Sequence, residues 1–331
     1  MPRKVDHWLL GLCDPRGPQP GLESCTLRGR KLTHLRALAD RHGVLPVFVK
    51  NLHKNSPDAA HELQQGSTPA RLAQLAAMGL FLRTLALELF QQFRNRGIPA
   101  VLIKGPLIAQ RAYRPASLRT YIDIDLLIPR SAWAAVRDVM TATGHQPAPS
   151  TMKYDSGYGE EQWLHPEHPG CSFEVHWNLV NSPTIRRGLS VTYEDLNPQP
   201  ATDPLGESLS PAALLLIAAV HGAASHSFDK LQQLCDVAQI ARSAAGPVDQ
   251  SQLADMTRAT GAQLALHAAL SLAGRLLEDE SCLELLSRLN LNKSPASRLL
   301  NRQSVLSGEK ADLASRMRRR MFRQALKRRE L

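Results

Sequence analysis

The 331-residue chain is 43% apolar, 21% charged and only 5% aromatic, an ordinary globular make-up long enough for two or three domains. Leu and Ala dominate it, which favours helix over an all-β architecture. The net charge of +10 suggests a nucleic-acid partner until it is located: residues 293–331 hold twelve Lys/Arg against three Asp/Glu, so nine of the ten charges belong to a basic tail and the body is nearly neutral.

Residues 1–30, rich in Gly, Pro and Arg, read as a loosely ordered leading segment. Helical patterns follow at about Thr33–His42 and Leu45–Lys54, then a polar break at Asn55–Asp58. Thr68 and Pro69 supply a capping side chain and a first-turn proline. From there Leu72, Leu75, Leu82, Leu85, Leu89 and Phe93 keep helical spacing until Gly97. The pattern changes at Ala100–Ile103, a short strand, followed by Lys104-Gly105-Pro106 and an apolar helix to about Tyr113. A second strand spans Thr120–Ile128, and a helix runs from Ser131 to Gly144. Residues 145–180 read as strands and turns ending in Phe173-Glu174-Val175-His176-Trp177, a period-two alternation. Pro198–Pro204 reads as a linker, and helices are expected near 207–226, 229–244, 249–259, 261–279 and 281–290. The domain division is therefore an N-terminal helical segment (1–68), a core (69–197), a C-terminal helical domain (204–292) and the basic tail (293–331).

The chemistry concentrates in Ile122-Asp123-Ile124-Asp125-Leu126. On a strand Asp123 and Asp125 share one face, with Ile122, Ile124 and Leu126 on the other. Two neighbouring carboxylates in an apolar strand repel each other and lose hydration, at several kcal/mol per ion without compensation. Divalent cations such as Mg2+ resolve both problems; solvent exposure or pairing with arginines would do so more simply. Glu174 and His176 share a face of a later strand, with Phe173, Val175 and Trp177 opposite, so Glu174 could complete a metal cluster. Upstream, Lys104-Gly105-Pro106 turns from strand to helix, where exposed N–H groups and the dipole offer a seat for phosphate. Arg119 either steadies a triphosphate or pairs with an aspartate.

The run VLIKGPLIAQRAYRPASLRTYIDIDLLI at 101–128, with FEVHW at 173–177 and HGAASHSFDKLQQLCD at 221–236, resembles the uncharacterised bacterial nucleotidyltransferase family over roughly residues 70–280. The resemblance implies an α+β fold: the polymerase-β-like nucleotidyltransferase core, a small mixed sheet with helices, flanked by N-terminal helices and a C-terminal helical bundle. It implies Mg2+- or Mn2+-dependent transfer of a nucleoside monophosphate from a nucleoside triphosphate, with pyrophosphate released. By motif, Asp123 and Asp125 would be metal ligands and Glu174 a third ligand or the base, with Lys104, Gly105 and Arg119 at the nucleotide. The wider superfamily usually has Gly-Ser where Lys104 and Gly105 stand, which shifts weight to the lysine. The acceptor is open among a small molecule, a glycan precursor, a protein side chain and tRNA. The alternatives are a catalytically inactive nucleotide- or RNA-associated protein using the tail, or a toxin-like transferase acting on tRNA.

His176 is expected to orient Glu174. His221 and His226 either border the cleft from the second domain or are simply a pair of helix-end histidines; five apart, they would not sit squarely on one helical face. His165 and His168 flank prolines in a loop and are weak metal candidates. In the tail, Leu313, Met317, Met321 and Ala325 recur every four residues amid arginines. Residues 309–331 thus either form a basic amphipathic helix on anionic lipid or RNA, or pack on their own bundle. Five cysteines without a CxxC pair, no convincing secretory signal and a longest apolar run of Ala212–Val220 point to a reduced, cytoplasmic protein, with the membrane periphery an option through the tail.

Overall fold

Five helices lead into the sheet: α1 (Pro2–Leu12), α2 (Gly29–Arg41), α3 (Leu45–Asn55), α4 (Pro57–Gln64) and the long α5 (Thr68–Asn95). The computed structural model describes residues 2–20, 22, 27–149, 157–168, 170–200, 208–291, 294–308 and 311–328. α1 corrects the expectation of a loose leading segment. Leu9 is buried with Leu12 and Cys13, three and four residues on, and with Leu10, and the described chain is irregular from Cys13 to Pro20. Even there Asp14 is anchored, its carboxylate 2.8 Å from Arg242. The polar break at 55–58 shrinks to Ser56, because Pro57 starts α4 at once.

α5 buries Leu82, Leu85, Ala86, Leu89, Phe90 and Phe93 in its C-terminal half, while Leu80 is 70% exposed. By length and composition it is the one helix among the described residues that could cross a membrane. It delivers the chain to β1 (Val101–Leu102), then α6 (Pro106–Ala112), β2 (Asp123–Leu127), α7 (Trp133–Ala142), β3 (Gln146–Pro147), β4 (Glu160–Leu164) and β5 (Ser172–His176). The five strands form one mixed sheet in the order β1-β2-β5-β4-β3, in which β2 and β5 run parallel and the other pairs antiparallel. β2 starts later than the sequence suggests, and Ile122, expected inside with Ile124 and Leu126, is 65% exposed.

After α8 (Tyr193–Leu196) the chain becomes helical: α9 (Pro211–His221), a π-helical turn (Gly222–His226), α10 (Leu231–Ala241), α11 (Gln250–Thr260), α12 (Gln263–Leu276), α13 (Glu280–Arg288), α14 (Arg302–Leu306) and α15 (Leu313–Ala325). α9 is enclosed, with Ala212 through Val220 all buried, as an all-apolar helix must be. The expected linker falls partly outside the described residues; Gln199 and Ser208 on either side form an isolated bridge. The result is a mixed α+β architecture, a small sheet carried among many helices, with a core continuous from Leu9 to Leu326.

Candidate active site

Strand pairing assembles the acidic group. The parallel register of β2 and β5 sets Asp125 opposite Glu174, and the antiparallel register of β4 and β5 sets Glu160 opposite His176. Ile124, Leu126 and Val175 are fully buried on the other face, so the alternation that fills the core also aims the carboxylates the other way. Asp123, at the start of β2, stands at the rim of a cleft of about 360 Å³. Glu160, Glu174, His176, Lys104, His221 and His226 line the same cleft.

Asp125 lies behind the cleft wall, fully buried beneath Lys104 and His176. Its Oδ1 is 2.6 Å from Lys104 Nζ and 3.2 Å from His176 Nε2. His176 Nε2 also lies 3.7 Å from Glu174 Oε2, and its Nδ1 3.3 Å from Glu160 Oε2. The ring therefore serves three carboxylates, wider than the expected partnership with Glu174 alone. Lys104 is placed by Gly105, whose φ of 54° lets the chain reverse between β1 and α6. A side chain at Gly105 would be strained in that left-handed conformation. α6 is only seven residues long and begins with Pro106, which has no N–H to offer.

The electrostatics follow from crowding. Two carboxylates on adjacent strands repel by roughly 3 kcal/mol at an effective dielectric near 20. Burial and the charge of Asp125 raise the Asp123 carboxyl, and burial with the same neighbour raises Glu174, although His176 opposes it. Asp125 goes the other way: burial works against its charge, but Lys104 and then His176 hold it well below the usual carboxylate range. Burial likewise opposes charge on His176, yet its bond to Asp125 and the nearby Glu160 push it up to about 10. Lys104 stays charged against burial because Asp125, Glu174 and Asp123 surround it. Four carboxylates thus face three cations, Lys104 and the protonated His176 beside them and Arg323 at the cleft mouth, which leaves negative charge in excess. Asp125 Oδ2 is buried with no hydrogen-bond partner, a costly state for a carboxylate oxygen. A divalent cation would satisfy both deficits: ligand atoms of Asp125, Glu174 and His176 lie within 4.8 Å of one another, and His176 would join the set only on losing its proton.

The two cleft histidines overturn the spacing argument. Residues five apart miss each other on an α-helix, but Gly222–His226 is a π-helical turn, whose wider coil and i to i+5 bonding bring such residues closer. His221 and His226 therefore meet edge to face, with ring centroids 4.8 Å apart, and His221 Nε2 lies 3.4 Å from Lys104 Nζ. Burial and then Lys104 hold both rings neutral, His226 down to about 4. The turn is locked by Phe228, which is buried against Gly222 and has a φ of 54°.

Arg119 takes the second of its two expected roles. Its Nε and Nη2 donate to the two oxygens of Asp236, each at 2.8 Å, and it does not line the cleft. Tyr113 Oη donates to the same carboxylate at 2.7 Å, and Arg119 Nη1 to the Gly105 carbonyl at 3.3 Å. The guanidinium thereby fastens the Lys104-Gly105 turn to α10. His165 and His168 pack near His145 and Phe81, outside the cleft. Asp236 stood in the sequence only as the end of the family-like run at 221–236, and the sequence reading singled out neither Glu160 nor, as a cleft residue, Arg323, which reaches the cleft mouth from α15. Strand pairing alone reveals Glu160, and nothing local in the sequence points to Arg323.

A family model described as uncharacterised nucleotidyltransferase matches residues 29–278, a span that includes every cleft residue named above except Arg323. No curated protein and no solved structure matches the chain significantly. With a small mixed sheet presenting a buried acidic group and a family match over most of its length, the chain belongs to the family of uncharacterised nucleotidyltransferases.

Proposed function

We propose that the protein transfers a nucleoside monophosphate from a nucleoside triphosphate to an acceptor nucleophile and releases pyrophosphate. The observation that carries this reading is the convergence of Asp125, Glu174 and His176 from two parallel strands, with an orphaned buried oxygen on Asp125. The mixed sheet with carboxylates on adjacent strands also supports a place in the polymerase-β-like superfamily. Asp123, Asp125 and Glu174 would hold Mg2+ or Mn2+, whose contribution when bound is to neutralise charge on the phosphates.

In the reaction an acceptor oxygen bonds to the α-phosphorus while the bond to the oxygen bridging the β-phosphate breaks, so that pyrophosphate leaves with the electron pair. Glu174, its proton affinity raised by burial and by Asp125, is the group suited to take the acceptor's proton. Lys104, kept charged inside the cleft, offers its ammonium to the donor's phosphates. His221 and His226 stay neutral beside it and add no competing charge. The test is pyrophosphate release from each nucleoside triphosphate with Mg2+ or Mn2+, alongside metal-nucleotide binding to wild type and Asp123→Asn. Turnover and tight binding should fall together in the variant. Equal binding by both proteins refutes the assignment of the site.

A further inference from the structure

The tail's charge has a destination in the fold. α15 is seated on the body: Ser315, Phe322 and Leu326 are buried, and Arg319 donates to the carbonyls of Gly308, at 2.8 Å, and Ser304. A Cβ on Gly188 would lie 2.6 Å from the carbonyl oxygen of Leu326, so the tail backbone rests directly on that glycine. The tail thus meets the body through Phe322 and Leu326 rather than through the expected stripe, of which Leu313, Met317 and Met321 are exposed.

Outside that anchor, Arg316, Arg320 and Arg323 recur at helical spacing, with Lys327 four residues on, and so share one face. With Arg319 they line a cavity of about 480 Å³ walled on the far side by Ser182, Thr184, Ser225 and Ser227. Arg316, Arg320, Arg323 and Lys327 form no ion pair among the described residues. Asp229 is the one carboxylate lining the cavity, and it already faces His226 and Arg319. Five cations therefore stand against one carboxylate. Such crowding is unfavourable unless an anion joins them, and arginine forks with hydroxyls suit the oxygens of phosphate. The cavity also shares Ser182, Ser225, His226 and Arg323 with the carboxylate cleft, so the two adjoin. α15 lies beyond the span that the family model matches.

We propose that this arginine-lined cavity is a phosphate subsite that holds phosphate groups of a substrate whose reacting end lies in the carboxylate cleft. The inference rests on the nucleotidyl-transfer reading for what occupies the neighbouring cleft. The phosphates belong either to the donor's leaving pyrophosphate or to a phosphorylated acceptor.

The experiment is calorimetric titration of the full chain with inorganic pyrophosphate in the absence of divalent cations. Binding is expected to saturate and to weaken at least about tenfold in Arg316→Glu/Arg320→Glu. Arg318→Glu/Arg328→Glu, a change of equal charge at exposed tail residues outside the cavity, is expected to bind nearly as wild type. Both substituted pairs are solvent-facing, and melting curves check that each variant folds. Displacement of pyrophosphate by an α,β-methylene nucleoside triphosphate with Mg2+ assigns the cavity to the donor, and simultaneous binding assigns it to the acceptor. No saturable binding, or equal loss in the two double variants, overturns the subsite. The two readings fail separately. Pyrophosphate held by the arginines in a chain that never binds metal-nucleotide leaves the cavity standing and removes the transferase assignment; the reverse removes the cavity alone.

Discussion

Replacing Arg119 by Met separates a structural from a nucleotide-binding role. The guanidinium and Asp236 are 7% and 5% exposed and joined by two bonds of 2.8 Å. Removing one partner leaves the other charge buried and unpaired, which costs about 3–5 kcal/mol. With an unfolding entropy of about 2.1 cal/mol/K per residue over 331 residues, that is a fall in Tm of about 4–7 °C. Adding Asp236→Leu removes the orphaned carboxylate and replaces the pair with apolar volume. Such exchanges are often neutral or stabilising, so the double variant should recover most of the loss. Tyr113→Phe, which deletes the 2.7 Å bond to the same carboxylate, should cost about 1.5–3 kcal/mol. The assay is thermal melting of the three variants and the double variant beside direct measurement of metal-nucleotide affinity on folded protein. If Arg119→Met keeps the wild-type Tm but loses affinity, or if the two single losses simply add in the double variant, the reasoning fails.

Three other outcomes can be checked. Asp125→Asn should abolish Mn2+ binding measured by electron paramagnetic resonance and lower turnover at least about 10²-fold, since several kcal/mol of charge stabilisation goes with it; retained Mn2+ affinity would place the metal elsewhere. Gly222→Ala should cost about 1–3 kcal/mol, because its methyl would fall 2.4 Å from the buried ring of Phe228; thermal melting reads the loss. His42 accepts from the Leu231 N–H on Nδ1 and faces the Leu306 carbonyl through Nε2, and burial lowers it from 6.5 to about 4. The unfolded chain then binds more protons between those values, so this stability is present above pH 6.5 and drains as pH falls toward 4. It amounts to about 2 kcal/mol lost at pH 5; denaturant midpoints between pH 7 and 5 should flatten in His42→Gln.

Elements with a strong local signal were legible. Pro69 marks the start of α5, although the cap position is Ser67 and not Thr68 and carries no side-chain cap bond; Gly97 marks its end, and Phe173-Glu174-Val175-His176 alternates as β5 does. The partners of the carboxylates were only half legible, because pairing is non-local. Asp125 against Glu174 follows from two recognisable strands, whereas Glu160 depends on the hairpin register of β4. The histidine pair was hidden by an assumed period of 3.6, which the π-turn breaks where Gly222 admits the Phe228 ring. Arg119 carried two roles of equal chemical merit, and only the position of Asp236 on α10 decides between them. Arg323 was invisible because nothing in a basic helix says where it docks.

The side-by-side parallel alignment of β2 and β5 would make affinity for the proposed metal a gauge of folding fidelity. A slip of one residue would turn Glu174 into the core and bring Phe173 or Val175 to the cleft. Molecules that capture a divalent ion with both carboxylates have therefore matched segments nearly fifty residues apart in the chain. Metal titration of a refolding mixture would count the correctly registered fraction without any knowledge of the acceptor.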